Sequence, residues 1–281
     1  FLGIDFNPDI IETNYLWPFC SVAEYVANKY NKPLLIRPAV SDILKFNNDP
    51  EFKKIIKMYF NNADRIVTNS YIDKFIREIY NENKITVLDR YVPDPDIFYY
   101  DDKCDKKYDI LFPGKINYYW NLKGIELLLN LIKRNNFKSL FLINGNNLED
   151  IENLIIKRGL SNNIELKKFV PPDKMPKYIN QSKTVWCWDE DSTIDDFSNI
   201  ILEACFCNVS CLVNSKRKEN KELKTLIKLF PGLIKLVNLD DLKRTELLNS
   251  TNNLPGDVIS ELKKIYNNYI SQNIELYNAI E

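Results

Sequence analysis

An α/β protein with two doubly wound parallel-sheet modules is the fold class this sequence predicts. Three observations lead there. Short apolar runs of strand composition alternate with amphipathic, helix-spaced segments along most of the chain. In the second half, strands such as "YDILFPG" (108–114) and "KSLFLING" (138–145) are apolar at consecutive positions, as strands buried on both faces are. The 281 residues also suffice for two domains of ordinary size.

In the first module, "PDIIETN" (8–14) and "KPLLIRP" (32–38) read as strands, with the helix-spaced "FCSVAEYVANKY" (19–30) between them. "PEFKKIIKMYFNNA" (50–63) is a second helix and "DRIVTNS" (64–70) a third strand. Ser70 is a good N-cap for a helix over 71–80, and "KITVLDRYV" (84–92) is a further strand. "PDPDIFYYDDKCDKKY" (93–108) is charged and turn-rich, as a linker would be.

The second module repeats the pattern more completely. After the strand at 108–114 come a helix (124–135), a strand (138–145), and a helix (148–159) with Gly159 at its end, where helix C-caps favour glycine. A strand (163–170), a short helix (173–181) and the strand "KTVWCW" (183–188) follow. Then come a helix (197–206), the strand "SCLVN" (210–214) and a helix (220–230). The C-terminal stretch 256–280 is helical. The expected domains are therefore 1–105, 106–255, and a C-terminal helix over 256–281 able to pack across both.

Composition narrows the function classes. The chain is 45% hydrophobic and 27% charged with a net charge of −1, so no global basic field attracts nucleic acid. No apolar run approaches the ~18 residues of a membrane span, although peripheral lipid contact stays compatible. Histidine is absent, which removes histidine-based zinc sites, Ser-His-Asp triads and the commonest neutral-pH general base. The six cysteines lack paired CxxC spacing. Cys205, Cys207 and Cys211 cluster, but in an apolar helix end and the next strand, where cysteine serves as a small hydrophobe. Free thiols fit a reducing, cytoplasmic setting. The chain opens on Phe1 with no basic-then-apolar leader, and so reads as a fragment or a processed product.

Doubly wound sheets bind ligands beyond the carboxyl ends of their strands, which directs attention to two loops. In "PGKINYYWNLKGI" (113–125), Lys115 and Lys123 lie between a strand end and a helix start, where two cations can neutralise a diphosphate without a metal. In "DDFSNIILEAC" (195–205), Asp195 precedes the helix and can face a group above its N-terminus. Glu203, placed in the second turn of a helix from 197, can accept both hydrogens of a vicinal diol such as a ribose. Backbone N–H groups near Phe197, Ser198 and Asn199 can receive a phosphate. Each feature alone is equally an ordinary surface lysine, N-cap acid or helix glutamate.

Taken in order, these residues resemble the nucleotide-sugar domain of retaining GT-B glycosyltransferases of family 4. The resemblance rests on Gly114-Lys115, Lys123-Gly124, "FLING" ending at Gly145, "FVPPDKMPKYINQS" (169–182), and Asp195-Asp196-Phe197-Ser198 through Glu203-Ala204, which together cover roughly 108–215. It implies that Lys115 and Lys123 hold the donor diphosphate, Glu203 the ribose hydroxyls and Asp195 the transferred sugar. The backbone near Val170 would meet the base. It further implies transfer with retention, no metal or other cofactor, and a nucleotide sugar as substrate. The acceptor, whether glycan, lipid or protein, is left open.

Several positions depart from the family pattern. Asp195 stands for a glutamate, Ser198 for a glycine, and Lys115 for an arginine, which loses the bidentate fork. The first-domain histidine has no counterpart, and Arg37, Ser41 or Asp42 could replace it. The opening strands and glycine-rich loop are missing, so the first module looks incomplete by roughly 80 residues at ordinary domain proportions. An uncovered sheet edge would then favour a homo-oligomer. Two rival readings stand beside this one. One is a non-catalytic GT-B-like binding or scaffold subunit. The other is a metal-dependent GT-A-type enzyme using Asp189-x-Asp191 after the strand "KTVWCW".

Overall fold

The computed structural model describes residues 7–39, 42, 49–69, 72–80, 83–88, 91–115, 123–145, 147–168, 170–189, 199–238 and 256–280. The chain forms two units, Phe1–Tyr91 with Asn267–Glu281, and Val92–Tyr266.

The first unit contains β1 (Ile11–Asn14), α1 (Phe19–Tyr30), β2 (Leu34–Arg37), α2 (Pro50–Asn62), β3 (Arg65–Thr68), α3 (Asp73–Ile79) and β4 (Ile85–Val87). Its strands pair in parallel in the order β1-β2-β3-β4. Strand alternation divides the apolar residues between two faces. Leu34, Ile36 and Ile66 join one core with Cys20, Ala23 and Ala27 of α1 and Ile56, Tyr59 and Phe60 of α2. Leu35 and Val67 face the other way and pack with Leu276 and Tyr277 near the C-terminus. The last turns of the chain thus complete the core of the first unit.

Local chemistry sets the helix limits. Asp49 caps α2 by accepting from the backbone N–H groups of Glu51 and Phe52, with Pro50 at the first helical position. Asn31 ends α1 in the left-handed conformation. Before α3, Asn69 Oδ1 accepts from the Ile72 N–H at 3.0 Å; Ser70, the expected cap, lies outside the described residues.

The second unit contains β5 (Tyr108–Lys115), α4 (Ile125–Asn135), β6 (Ser139–Asn144), α5 (Leu148–Lys157), β7 (Ile164–Lys167), a 3-10 turn at 172–174, α6 (Met175–Asn180), β8 (Ser182–Trp186), α7 (Ile200–Phe206), β9 (Ser210–Asn214), α8 (Lys221–Leu229) and β10 (Ile234–Val237). The last helix, α9 (Gly256–Asn278), starts in this unit and ends in the first. All six strands are parallel, in the order β10-β9-β8-β5-β6-β7. Ile110, Leu111 and Phe112 of β5 are consecutive and all buried, so helices cover both faces of the sheet.

Three features differ from the sequence expectation. The strand β10 was not anticipated, although "LIKLV" carries its signal. The stretch 93–107, expected as a linker up to a boundary at 105, belongs to the second unit. The buried Asn180 holds it there, accepting from the Asp101 N–H and donating to the Tyr99 carbonyl. Lys115 is the last residue of β5 rather than part of the loop that follows.

Candidate functional site

Counted along the chain of the second unit, the strand order is 3-2-1-4-5-6, read from β7 to β10. After β5 the chain winds outward through β6 and β7, then returns to β8 on the other side of β5. The chain thus runs from β5 toward β6 and from β8 toward β9, in opposite directions across the sheet, which makes the carboxyl ends of β5 and β8 the topological switch point. The residues at this switch point are Gly114 and Lys115 on β5 and Cys187, Trp188 and Asp189 after β8.

Two tryptophans build one wall. Trp186 and Trp188 stand two apart, which on an extended chain puts both on one side, and their rings stack at 5.1 Å with 13° between planes. The Trp186 ring N–H donates to the Lys123 carbonyl at 2.9 Å. Beside it, Gly124 has φ +65, and a Cβ there would lie 2.4 Å from Trp188 Cδ1. Only glycine satisfies both the left-handed backbone and the close approach. The entry to α4 is thereby fixed, and the Lys123 ammonium is aimed at Asp189, with Nζ to Oδ2 at 3.3 Å. Asn214, at the end of β9, donates to the Asp189 carbonyl at 3.1 Å and accepts from the Lys216 N–H. Because Gly124 has no side chain to cap α4, its first N–H groups have no side-chain acceptor from the N-cap.

Glu203 lies on α7, directly after the switch-point loop. The described helix begins at Ile200, so Glu203 falls in the first turn, not the second. It is half-buried, and desolvation raises its carboxyl pKa to about 7. Asn199 is exposed at the helix start, with its carbonyl accepting from the Glu203 N–H. Val170 is half-buried between β7 and the 3-10 turn. Asp195, Phe197 and Ser198 lie outside the described residues.

The fold thus brings Gly114, Lys115, Lys123, Val170, Asn199 and Glu203 to the carboxyl side of one parallel sheet. Lys115 is in register with Asn144 of β6. The sequence reading overlooked Trp186, Trp188 and Asn214. The alternating Trp-Cys-Trp was the available signal for the first two; Asn214 had none, since its role depends on β8 and β9 being neighbours. The sequence offers Asp189 only as a metal ligand; in the structure it pairs with Lys123, and Asp191 lies outside the described residues.

Cys187, Cys205, Cys207 and Cys211 are all buried, and burial raises the thiol pKa of the first three, in keeping with cysteine as a small core hydrophobe. In the first unit, Arg37 donates to Glu12 at 2.6 Å and to Asn273 and Tyr277 of α9. Asp42 is buried and accepts from the Leu16 and Ala39 N–H groups. Both side chains therefore have structural work, and Ser41 lies outside the described residues.

Residues 101–224 match the family model for glycosyl transferases group 1. No curated protein matches the chain. Among solved structures, sucrose-phosphate synthase from Thermosynechococcus elongatus is similar over 98% of this chain and 74% of its own, with TM-score 0.65 and 14% identity. Anabaena HepE, solved in complex with UDP and glucose, is similar over 96% of this chain and 77% of its own, with TM-score 0.64 and 11% identity. A glycosyltransferase from Rickettsia africae gives 98% and 77%, with TM-score 0.56 and 17% identity. The chain therefore resembles the GT-B-fold glycosyltransferases, with its group 1 match inside the unit that holds the switch point.

Proposed function

We propose that this chain transfers a sugar from a nucleoside diphosphate sugar to an acceptor, with retention of anomeric configuration and without a metal ion. The observation that carries the reading is Lys123, pinned at the switch point by Trp186 and Gly124 beside the end of β5. Lys123 and Lys115 then receive the diphosphate at the strand end, where Gly114 makes room for the Phe112 ring beneath. Glu203 reads the ribose diol, and the backbone at Val170 meets the base. Asp195 contacts the transferred sugar, while the N–H groups of Phe197, Ser198 and Asn199 face phosphate. HepE was solved with UDP-glucose as well as with UDP, which supports uridine as the base to try first.

In the reaction, the bond between the sugar C1 and the phosphate oxygen breaks and its electron pair leaves with the diphosphate. An acceptor hydroxyl oxygen bonds to C1 on the same face, and its proton passes to the departing phosphate. The lysines contribute by stabilising that leaving charge. Incubation with UDP-glucose and an acceptor mixture, with and without chelator, tests the reading. UDP release that survives chelation and is lost in Lys123→Ala is expected. Dependence on a divalent ion would overturn the metal-free mechanism, and binding without turnover would favour a non-catalytic subunit.

For the acceptor, an exposed run of Trp17, Phe19, Val22 and Tyr25 on and before α1 supports lipid contact by the first unit. Among the described residues, no helix is long and apolar enough to cross a membrane. Self-association remains a proposal, to be tested by light scattering.

A further inference from the structure

Lys123 already has an anionic companion, Asp189 Oδ2 at 3.3 Å. Neither end of this pair is loosely held. The Lys123 carbonyl accepts from the ring N–H of Trp186, at the end of β8, and the Asp189 carbonyl accepts from Asn214, at the end of β9. The main chain at both residues is therefore tied to strand ends of the sheet. The side chains are 40% and 23% exposed, so the charges are screened by solvent but not cancelled.

A carboxylate fixed beside a phosphate-binding ammonium weakens its attraction for every anion, and most for the anion of highest charge. A sugar donor has its diphosphate esterified at both ends and carries about two negative charges. The nucleoside diphosphate released by transfer has a terminal phosphate whose second ionisation lies near pH ~6, so it carries about three. We propose that Asp189 is a charge-discriminating counter-ion for Lys123, lowering affinity for the nucleoside diphosphate product more than for the donor and so favouring product release. This rests on the donor reading above. Asp189 acts on the ligand through the charge of Lys123, and is not a catalytic residue.

Asp189→Asn removes the charge and keeps an oxygen to accept from Lys123; Asp189→Ser is a second neutral variant should the first fold poorly. Affinities for UDP, inorganic pyrophosphate and UDP-glucose are measured by calorimetry on the whole chain at a fixed pH of about 7.5, where the terminal phosphate is ionised. Because the coulombic free energy scales with ligand charge, about three against two, the neutral variants should bind UDP on the order of fivefold tighter and UDP-glucose about threefold tighter. Pyrophosphate should follow UDP, product inhibition by UDP should strengthen in parallel, and Asp189→Glu should restore the wild-type ratio. An equal shift for both nucleotides overturns the proposal, as does weaker UDP binding, which would mean that Asp189 merely holds Lys123 in place. Lys123→Ala separates the two levels of inference. If it leaves both affinities unchanged, the diphosphate reading fails; if it weakens both while Asp189→Asn leaves their ratio alone, only the counter-ion role fails.

Discussion

Donor binding should depend on the ionisation of Glu203, and the dependence can be worked out. Its carboxyl pKa is raised to about 7 by burial. A carboxylate that accepts both hydrogens of a diol must be ionised, so only the deprotonated site is competent. With a pKa near 7, about 90% of sites are ionised at pH ~8, half at pH ~7 and about 9% at pH ~6. Apparent Kd scales inversely with the competent fraction, so affinity should fall about tenfold from pH ~8 to ~6. UDP-glucose is the ligand to use, because its diphosphate is fully esterified and keeps a constant charge over this range, unlike the terminal phosphate of UDP. Calorimetry at constant ionic strength, repeated in two buffers of different ionisation enthalpy, gives both the affinity and the protons released. Binding at pH ~6 should release close to one proton per site. Glu203→Gln should bind weakly at every pH, with the tenfold slope gone. A wild-type Kd that stays flat from pH ~6 to ~8 would refute the reasoning, as would an unchanged slope in Glu203→Gln.

The same carboxyl has a stability signature of known sign. Between its ordinary value of 4.5 and about 7 the folded state binds more protons than the unfolded, so the free energy of unfolding falls as pH rises through that window. The loss above the window is at most roughly 3 kcal/mol, and denaturant titrations of wild type and Glu203→Gln should converge at low pH and separate at high pH. Gly124→Ala must place a Cβ against Trp188 at φ +65, and a loss of about 1–3 kcal/mol should lower the Tm by several degrees. An unchanged melting curve would mean that this wall yields easily. Leu276→Ala opens a cavity against Leu35 and Val67 and should cost about 2–5 kcal/mol by denaturant titration. For the lipid contact, replacing Trp17 and Phe19 by serine should reduce co-sedimentation with anionic vesicles severalfold; equal sedimentation of the two proteins would remove that face from consideration.

Much of the architecture was legible because it is written locally. The end of α5 could be read from one glycine, and Gly159 does adopt a positive φ just past the helix. The βα units from β5 to α8 were visible from apolar spacing, since a strand buried on both faces and a helix with one apolar face have different periods. The two loops worth attention followed from the rule that ligands gather at carboxyl strand ends, together with lysines and acids placed there. Where such reading stopped, the cause was distance along the chain. The stretch 93–107 looked like a linker because its charges and prolines are visible, while its tether, Asn180, lies about eighty positions later.

What the sequence determined by itself, then, is the alternation of strands and helices, the ends of several of them, and the residue types at the loops after β5 and β8. The tertiary structure alone decided that β5 and β8 are neighbours, that Lys123 faces Asp189 across 66 positions, and that Arg37 is bound to Tyr277 across 240. It also decided that Glu203 is desolvated enough for its pKa to rise. Backbone preference and periodicity act over a few residues and survive in the linear order. Strand adjacency, ion pairing and desolvation depend on which segments the folded core brings together, and composition carries no record of that.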